Sequence, residues 1–172
     1  RDLHRAALAV GEEFNTDPSS EKAEWLAFHA FRAEVWDKAV KHLQTAATRA
    51  IARSANRVAI EHLENALIAA EHLPKPDRTR VAFDLRIDLR HAVTPLGQVR
   101  RTLQHLEIAE TLADELNDRS RLGRVVSFTA NCLRLLGRYE EAMTTGARAL
   151  EIAREIGDQR LERTTHMYVA RA

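Results

Sequence analysis

Residues 124–156 read RVVSFTANCLRLLGRYEEAMTTGARALEIAREI, and the fold follows from how this stretch is parsed. Apolar residues recur at three- and four-residue steps on both sides of Leu136-Gly137-Arg138-Tyr139, which is the pattern of two amphipathic helices. Gly137 suits the left-handed residue that closes a helix. The link is so short that the two helices must turn back on each other as an antiparallel hairpin. Ala142, Gly146 and Ala149 stand at i, i+4 and i+7 at the start of the second helix. Small residues there let the first helix approach within the usual ~8–10 Å.

The same spacing recurs outward along the chain. Ala59, Leu63 and Ala66 carry it, and so do Thr102, Leu106 and Ala109, at steps of 43 and 40 residues. Leu106-Glu107-Ile108-Ala109 returns as Leu150-Glu151-Ile152-Ala153. A shift of 40 pairs Leu116 with Ile156, Asp118 with Asp158, Phe128 with Tyr168 and Ala130 with Ala170. Helix pairs of this kind cannot bury their faces alone, so they stack. About nine helices are expected, over 3–14, 21–33, 36–53, 56–73, 78–93, 98–116, 119–136, 139–156 and 159–172. Residues 15–20 form the most loop-like stretch, Ser20 is placed to cap the second helix, and Pro74-Lys75-Pro76 stops the fourth. The Leu-Gly turns at 96–97 and 136–137 pair helix five with six and seven with eight, and by parity three with four. Trp36, Ala39, Leu43 and Ala46 leave a pairing of two with three open.

Composition agrees with helices. Of 172 residues, 28 are Ala and 20 are Leu against 17 Val and Ile, and Gly and Pro are scarce. Lys and Arg number 26 and Asp and Glu 25, so the net charge of +1 argues against a general nucleic-acid or anionic-membrane binder. One cysteine, Cys132, excludes an internal disulfide framework and suits a buried, inert thiol in a cytoplasmic protein. No apolar run approaches the ~20 residues of a membrane span. The chain begins at Arg1 and its last helix is still running at Ala172, so a piece of a longer protein is expected. In that reading residues 1–20 are a helix and linker from a preceding domain, and residues 21–172 are the helical array, truncated in its last repeat.

The hairpin of residues 124–156 resembles the tetratricopeptide repeat. Ala130, Gly137, Tyr139, Ala142 and Ala149 stand where that motif has its small residues and its Gly-x-Tyr turn, while Gly146 departs from the usual larger residue. The resemblance implies an all-α, right-handed solenoid of antiparallel helix hairpins. Residues 26–39 (LAFHAFRAEVWDKA), 84–90 (DLRIDLR), Pro95-Leu96-Gly97 and 121–124 (RLGR) are similar to the region that follows the P-loop ATPase module in large bacterial signalling proteins, adenylate/guanylate cyclases and transcriptional regulators among them. That likeness implies a sensory or scaffolding arm, with the catalytic domains elsewhere in the parent.

No phosphate-binding Gly-x-x-x-x-Gly-Lys-Ser/Thr, His-Glu-x-x-His or Gly-x-Ser-x-Gly occurs, so no catalytic, cofactor or metal residue is assigned. No two of the eight histidines are spaced i, i+4 on a helix, although sites across helices stay open. Trp25 and Trp36 read as inter-helix anchors. Arg80 and Asp84 read as one exposed ion pair, and Arg49, Arg53 and Arg57 as a charged stripe. In repeats of this type the first helix of each pair lines the concave face. Those positions map here to Asp84, Asp88 and His91 on helix five and to Arg124, Ser127, Asn131 and Arg134 on helix seven. An Asn beside an Arg suits a peptide backbone and a carboxylate. The expected role is noncovalent: binding of a protein or peptide, self-association, or contact with the parent's own ATPase or cyclase domain. The rival readings are a small-molecule effector sensor and, less favoured by the charge, a nucleic-acid arm.

Overall fold

The structure, a computed structural model, describes residues 1–13, 22–75 and 77–171. The expected loop over 15–20 and the Ser20 cap lie outside them. Among the described residues there are nine α-helices and no strand: α1 (Asp2–Glu13), α2 (Lys22–Arg32), α3 (Trp36–Ala52), α4 (Asn56–Ala70), α5 (Asp77–Val93), α6 (Val99–Glu115), α7 (Arg119–Leu135), α8 (Tyr139–Glu155) and α9 (Gln159–Val169). The fold is all-α and made of helix hairpins. α4 stops three residues before the expected Leu73, and α9 ends at Val169 rather than running on to Ala172.

One hydrogen-bonded turn explains most of the connections. After α2, α3, α6, α7 and α8 a single residue takes positive φ: Glu34, Ser54, Asn117, Gly137 and Gly157. Its N–H reaches back to one helix carbonyl and the next N–H to another, as in Gly137 to Arg134 at 3.0 Å and Arg138 to Leu133 at 2.9 Å. The pair of bonds satisfies carbonyls that a helix end leaves open. Glu34 and Ser54 are 20 residues apart, and Gly97, Asn117, Gly137 and Gly157 follow one another at the same interval. The 40-residue repeat is therefore two 20-residue helix-and-turn modules. The turn before α6 is different: Thr94–Leu96 form one 3-10 turn, and Gly97 bonds back to Thr94 at 3.0 Å.

The chain divides into two compact units, residues 1–92 and 93–172. In the first, α1 packs on α2, α2 on α3 and α3 on α4, around Leu26, Leu43 and Leu63 with Ala30 and Ala59 admitting close approach. Glu12 on α1 reaches α3, accepting from Lys38 Nζ at 2.5 Å and pairing with His42 Nε2 at 3.1 Å. Trp36 anchors the helix ends as expected: its ring stacks on His72 at 4.1 Å and meets the edge of Phe31 at 5.7 Å. Trp25 lies over His29 at 4.1 Å and against Gly11 of α1, where a Cβ would come within 2.3 Å of the indole.

In α5 the sequence alternates, and burial alternates with it. Phe83, Leu85, Ile87 and Leu89 are buried while Asp84, Arg86, Asp88 and Arg90 are half-buried. On a helix, residues two apart point in widely separated directions, so α5 buries apolar side chains around its circumference. Burial also draws the Arg86 guanidinium below its ordinary pKa. Arg80 bonds Asp77 at 3.5 Å and not the expected Asp84, because α5 starts one residue early and brings Asp77 within one turn.

In the second unit α6 packs on α7, α7 on α8 and α8 on α9, and α7 also touches α9. This is the order of a first helix, its second helix, and the first helix of the next hairpin. Glycines set the spacing. A Cβ on Gly123 would meet Leu161 at 2.7 Å and Ile152 at 2.9 Å, and one on Gly146 would meet Val169 at 2.3 Å. Val169 thus fills the space that a larger residue at position 146 would take. The caps Asp118 and Asp158 start α7 and α9, each accepting from a backbone N–H three residues on at 2.9 Å. The start of α9 at Gln159 agrees with the sequence reading, and Asp118, which reads in the sequence as part of a turn, is a cap as well.

Candidate partner-binding face

The acidic and basic residues that alternate along the second half of the chain separate by helix. α7 carries Arg119, Arg121, Arg124 and Arg134 and no carboxylate. α9 carries Arg160 and Arg163 against one Glu162. α8 carries Glu140, Glu141, Glu151 and Glu155 against Arg148 and Arg154, and α6 ends in Asp114 and Glu115. The first helices are cationic and the second helices acidic, so a nearly neutral chain presents a charged face.

Much of this charge is engaged between helices. Arg119 of α7 is clamped by Glu155 of α8, Arg148 of α8 by Glu110 of α6, and Arg154 of α8 meets Glu162 of α9 at 2.9 Å. Hydrogen bonding to Glu155 raises the Arg119 pKa, and the bond from Arg119 lowers that of Glu155. Arg121 folds back on the Asp118 cap at 2.6 Å. Arg124, Arg160 and Arg163 have no partner among the described residues, and all three are exposed.

The residues expected to line a groove fall in both units. On α7, Arg124 is exposed and Asn131 and Arg134 are half-buried. Arg134 donates to Asn131 Oδ1 through Nε at 3.3 Å and Nη2 at 3.0 Å. The bond holds the guanidinium in place and leaves its charge uncompensated. Ser127 is a correction: it is fully buried, its hydroxyl 2.8 Å from that of Thr165 on α9, which also donates to the Leu161 carbonyl at 2.8 Å. It joins two helices and is closed to a partner. The accessible stripe runs instead through Arg124, Phe128, Asn131 and Leu135, at four-, three- and four-residue steps, and Leu135 keeps 45% of its surface open. The sequence does not single out Phe128 and Leu135, because a helix stripe can step by three or by four. The repeat puts Arg124, Phe128 and Asn131 in register with Thr164, Tyr168 and Arg171. On α5, in the first unit, Asp84 and Asp88 are half-buried among that helix's charges, and His91 is exposed with Arg90 Nη2 at 3.2 Å from its Nε2.

Cys132 is buried, as expected. Among the described residues no three His, Cys, Asp or Glu side chains cluster as metal ligands would, and no helix is long and apolar enough to cross a membrane.

These features define the class: an all-α helical-repeat protein built of antiparallel helix hairpins. No protein-family profile matches the chain, and no curated protein matches it. Among solved structures it is similar to a thermophilic TPR protein of Thermus thermophilus, with 22% identity over 97% of this chain and 91% of that one and a TM-score of 0.45.

Proposed function

We propose that the exposed face of α7 and α9 binds an acidic peptide segment of a protein partner, and that the chain performs no chemistry of its own. The separation of charge by helix carries this reading: α7 offers Arg124 and Arg134 on the helix that half-buries Phe128 and exposes Leu135, α9 adds Arg160 one turn before Thr164 in the same register, and most carboxylates of these four helices sit on α6 and α8. A guanidinium pairs a carboxylate through two parallel bonds, and an apolar neighbour excludes water from them. A labelled peptide rich in Glu and Asp with leucine anchors, followed by fluorescence anisotropy, tests it. Saturable binding that weakens with salt and drops about tenfold in Arg124→Glu is expected, equivalent to roughly 1.4 kcal/mol. Equal binding of a Lys-rich peptide, or tighter binding of single-stranded RNA of equal charge, overturns it.

In a cell this face would serve a regulatory arm of a larger cytoplasmic signalling protein, with a cyclase or ATPase domain elsewhere in the parent. That context rests on the likeness of residues 26–39 and 84–90 to such regions. The partner would then be a separate protein, a second copy of the chain, or an acidic segment of the parent. Sequencing the parent gene beyond both ends of this chain tests the context.

A further inference from the structure

We propose that the first unit holds a small-molecule site for a zwitterion, an apolar or aromatic α-amino acid, in the cleft between α1, the start of α3 and the end of α4. The cleft is an open groove of about 590 Å³, within the volume range of small-ligand sites. Trp36 and His72, stacked at 4.1 Å with an interplanar angle of 13°, both line it, and its apolar lining includes Leu8 and Leu73. A second cleft of about 390 Å³ lies against Trp36 and Glu34 as well.

The charges lining the larger cleft sort into committed and open ones. Glu34 is held by Arg1 at 2.7 Å, and Lys38 by Glu12 at 2.5 Å. Arg5 and Asp37 line the cleft with no partner among the described residues. One open cation and one open carboxylate beside an indole match a molecule that carries one carboxylate, one ammonium and an apolar body. A simple anion would leave Asp37 facing it, and a simple cation Arg5. The ring would lie along Trp36, the carboxylate would take Arg5, and the ammonium would take Asp37. This site is separate from the α7 and α9 face, so either can stand without the other.

Isothermal titration calorimetry of the 172-residue chain tests it, with L-phenylalanine, 3-phenylpropionate and phenethylamine as probes. Saturable heat for L-phenylalanine is expected, with the two singly charged probes weaker by about tenfold or more, since a site built to pair a group rejects an analogue lacking it. Arg5→Gln and Asp37→Asn should each weaken L-phenylalanine by a similar factor, Asp37→Glu should restore part of it, and circular dichroism should show all three folded. No saturable heat at millimolar L-phenylalanine, equal binding of the three probes, or unchanged affinity in folded Arg5→Gln and Asp37→Asn overturns the assignment.

Discussion

Asp118 and Asp158 are the same residue of the architecture forty positions apart: each carboxylate caps its helix by accepting from the backbone N–H three residues on, at 2.9 Å in both. The residue before each, Asn117 or Gly157, is the left-handed closer of the preceding helix. Only three residues separate the end of a second helix from the start of the next first helix, and that compactness sets the 20-residue module. Asp118→Ala and Asp158→Ala should each cost about 1 kcal/mol. Urea unfolding of the single and double variants checks this, and the two losses should add. The backbone bond from Arg121, set against partial burial and aided by the Arg121 side chain, holds the Asp118 carboxyl below its ordinary 3.8. The contribution of Asp118 is therefore full above that value and is lost as pH falls through the lowered folded one.

The positive-φ positions should respond to substitution in opposite directions. Gly137→Ala and Gly157→Ala force a Cβ into the left-handed region at φ 76° and 69° and should destabilise by roughly 1 kcal/mol each. Ser54→Gly and Glu34→Gly relieve the same strain and should raise the unfolding midpoint. A uniform loss across all four variants would show that these turns do not govern the fold.

Ser127 and Thr165 form a buried polar pair, so breaking it from one side should cost more than removing it. Thr165→Val leaves the Ser127 hydroxyl without its partner and should destabilise by about 1–3 kcal/mol. Adding Ser127→Ala should recover part of that loss. The double-mutant cycle reads the coupling directly.

Acid should loosen α1 first. His4 Nδ1 lies 3.1 Å from His29 Nδ1 on α2. Partial burial, then the neighbouring charges of His29 and Arg32, lower the His4 pKa below 6.5. The folded chain thus takes up this proton less readily than the unfolded one. The His4 contribution is full above 6.5 and is lost as pH falls from there through the lowered folded value. Burial raises the Glu12 pKa, but the bonds from Lys38 and His42 outweigh it and leave it below 4.5, so its share goes at lower pH still. Amide-exchange protection within α1, taken relative to the intrinsic exchange rate at each pH, should fall below pH 6.5 before protection in α3 does.

Residues 124–156 disclosed the hairpin because each small residue there answers to a close helix approach, and Gly137 and Gly157 announced their turns. Glu34 and Ser54 gave no such notice: the two reversing hydrogen bonds impose positive φ on whatever residue stands there. The contact of His4 with His29 joins two helices across 25 residues, and no local spacing encodes it. The charged face was hidden for a related reason. The run of four arginines without a carboxylate over 119–135 stands in the sequence, but which of them stay open is set by pairing across helices, as Glu155 of α8 takes Arg119 and leaves Arg124 exposed.

Recognition of acidic peptide by the α7 and α9 face should invert when its charge is inverted. A charge-swap cycle on that face decides it: affinities of acidic and charge-reversed peptides for the wild-type chain and for Arg124→Glu with Arg160→Glu, at two salt concentrations. The double variant should lose the acidic peptide and gain the reversed one, with both effects shrinking as salt rises. Unchanged preference for the acidic peptide in the folded double variant would contradict it.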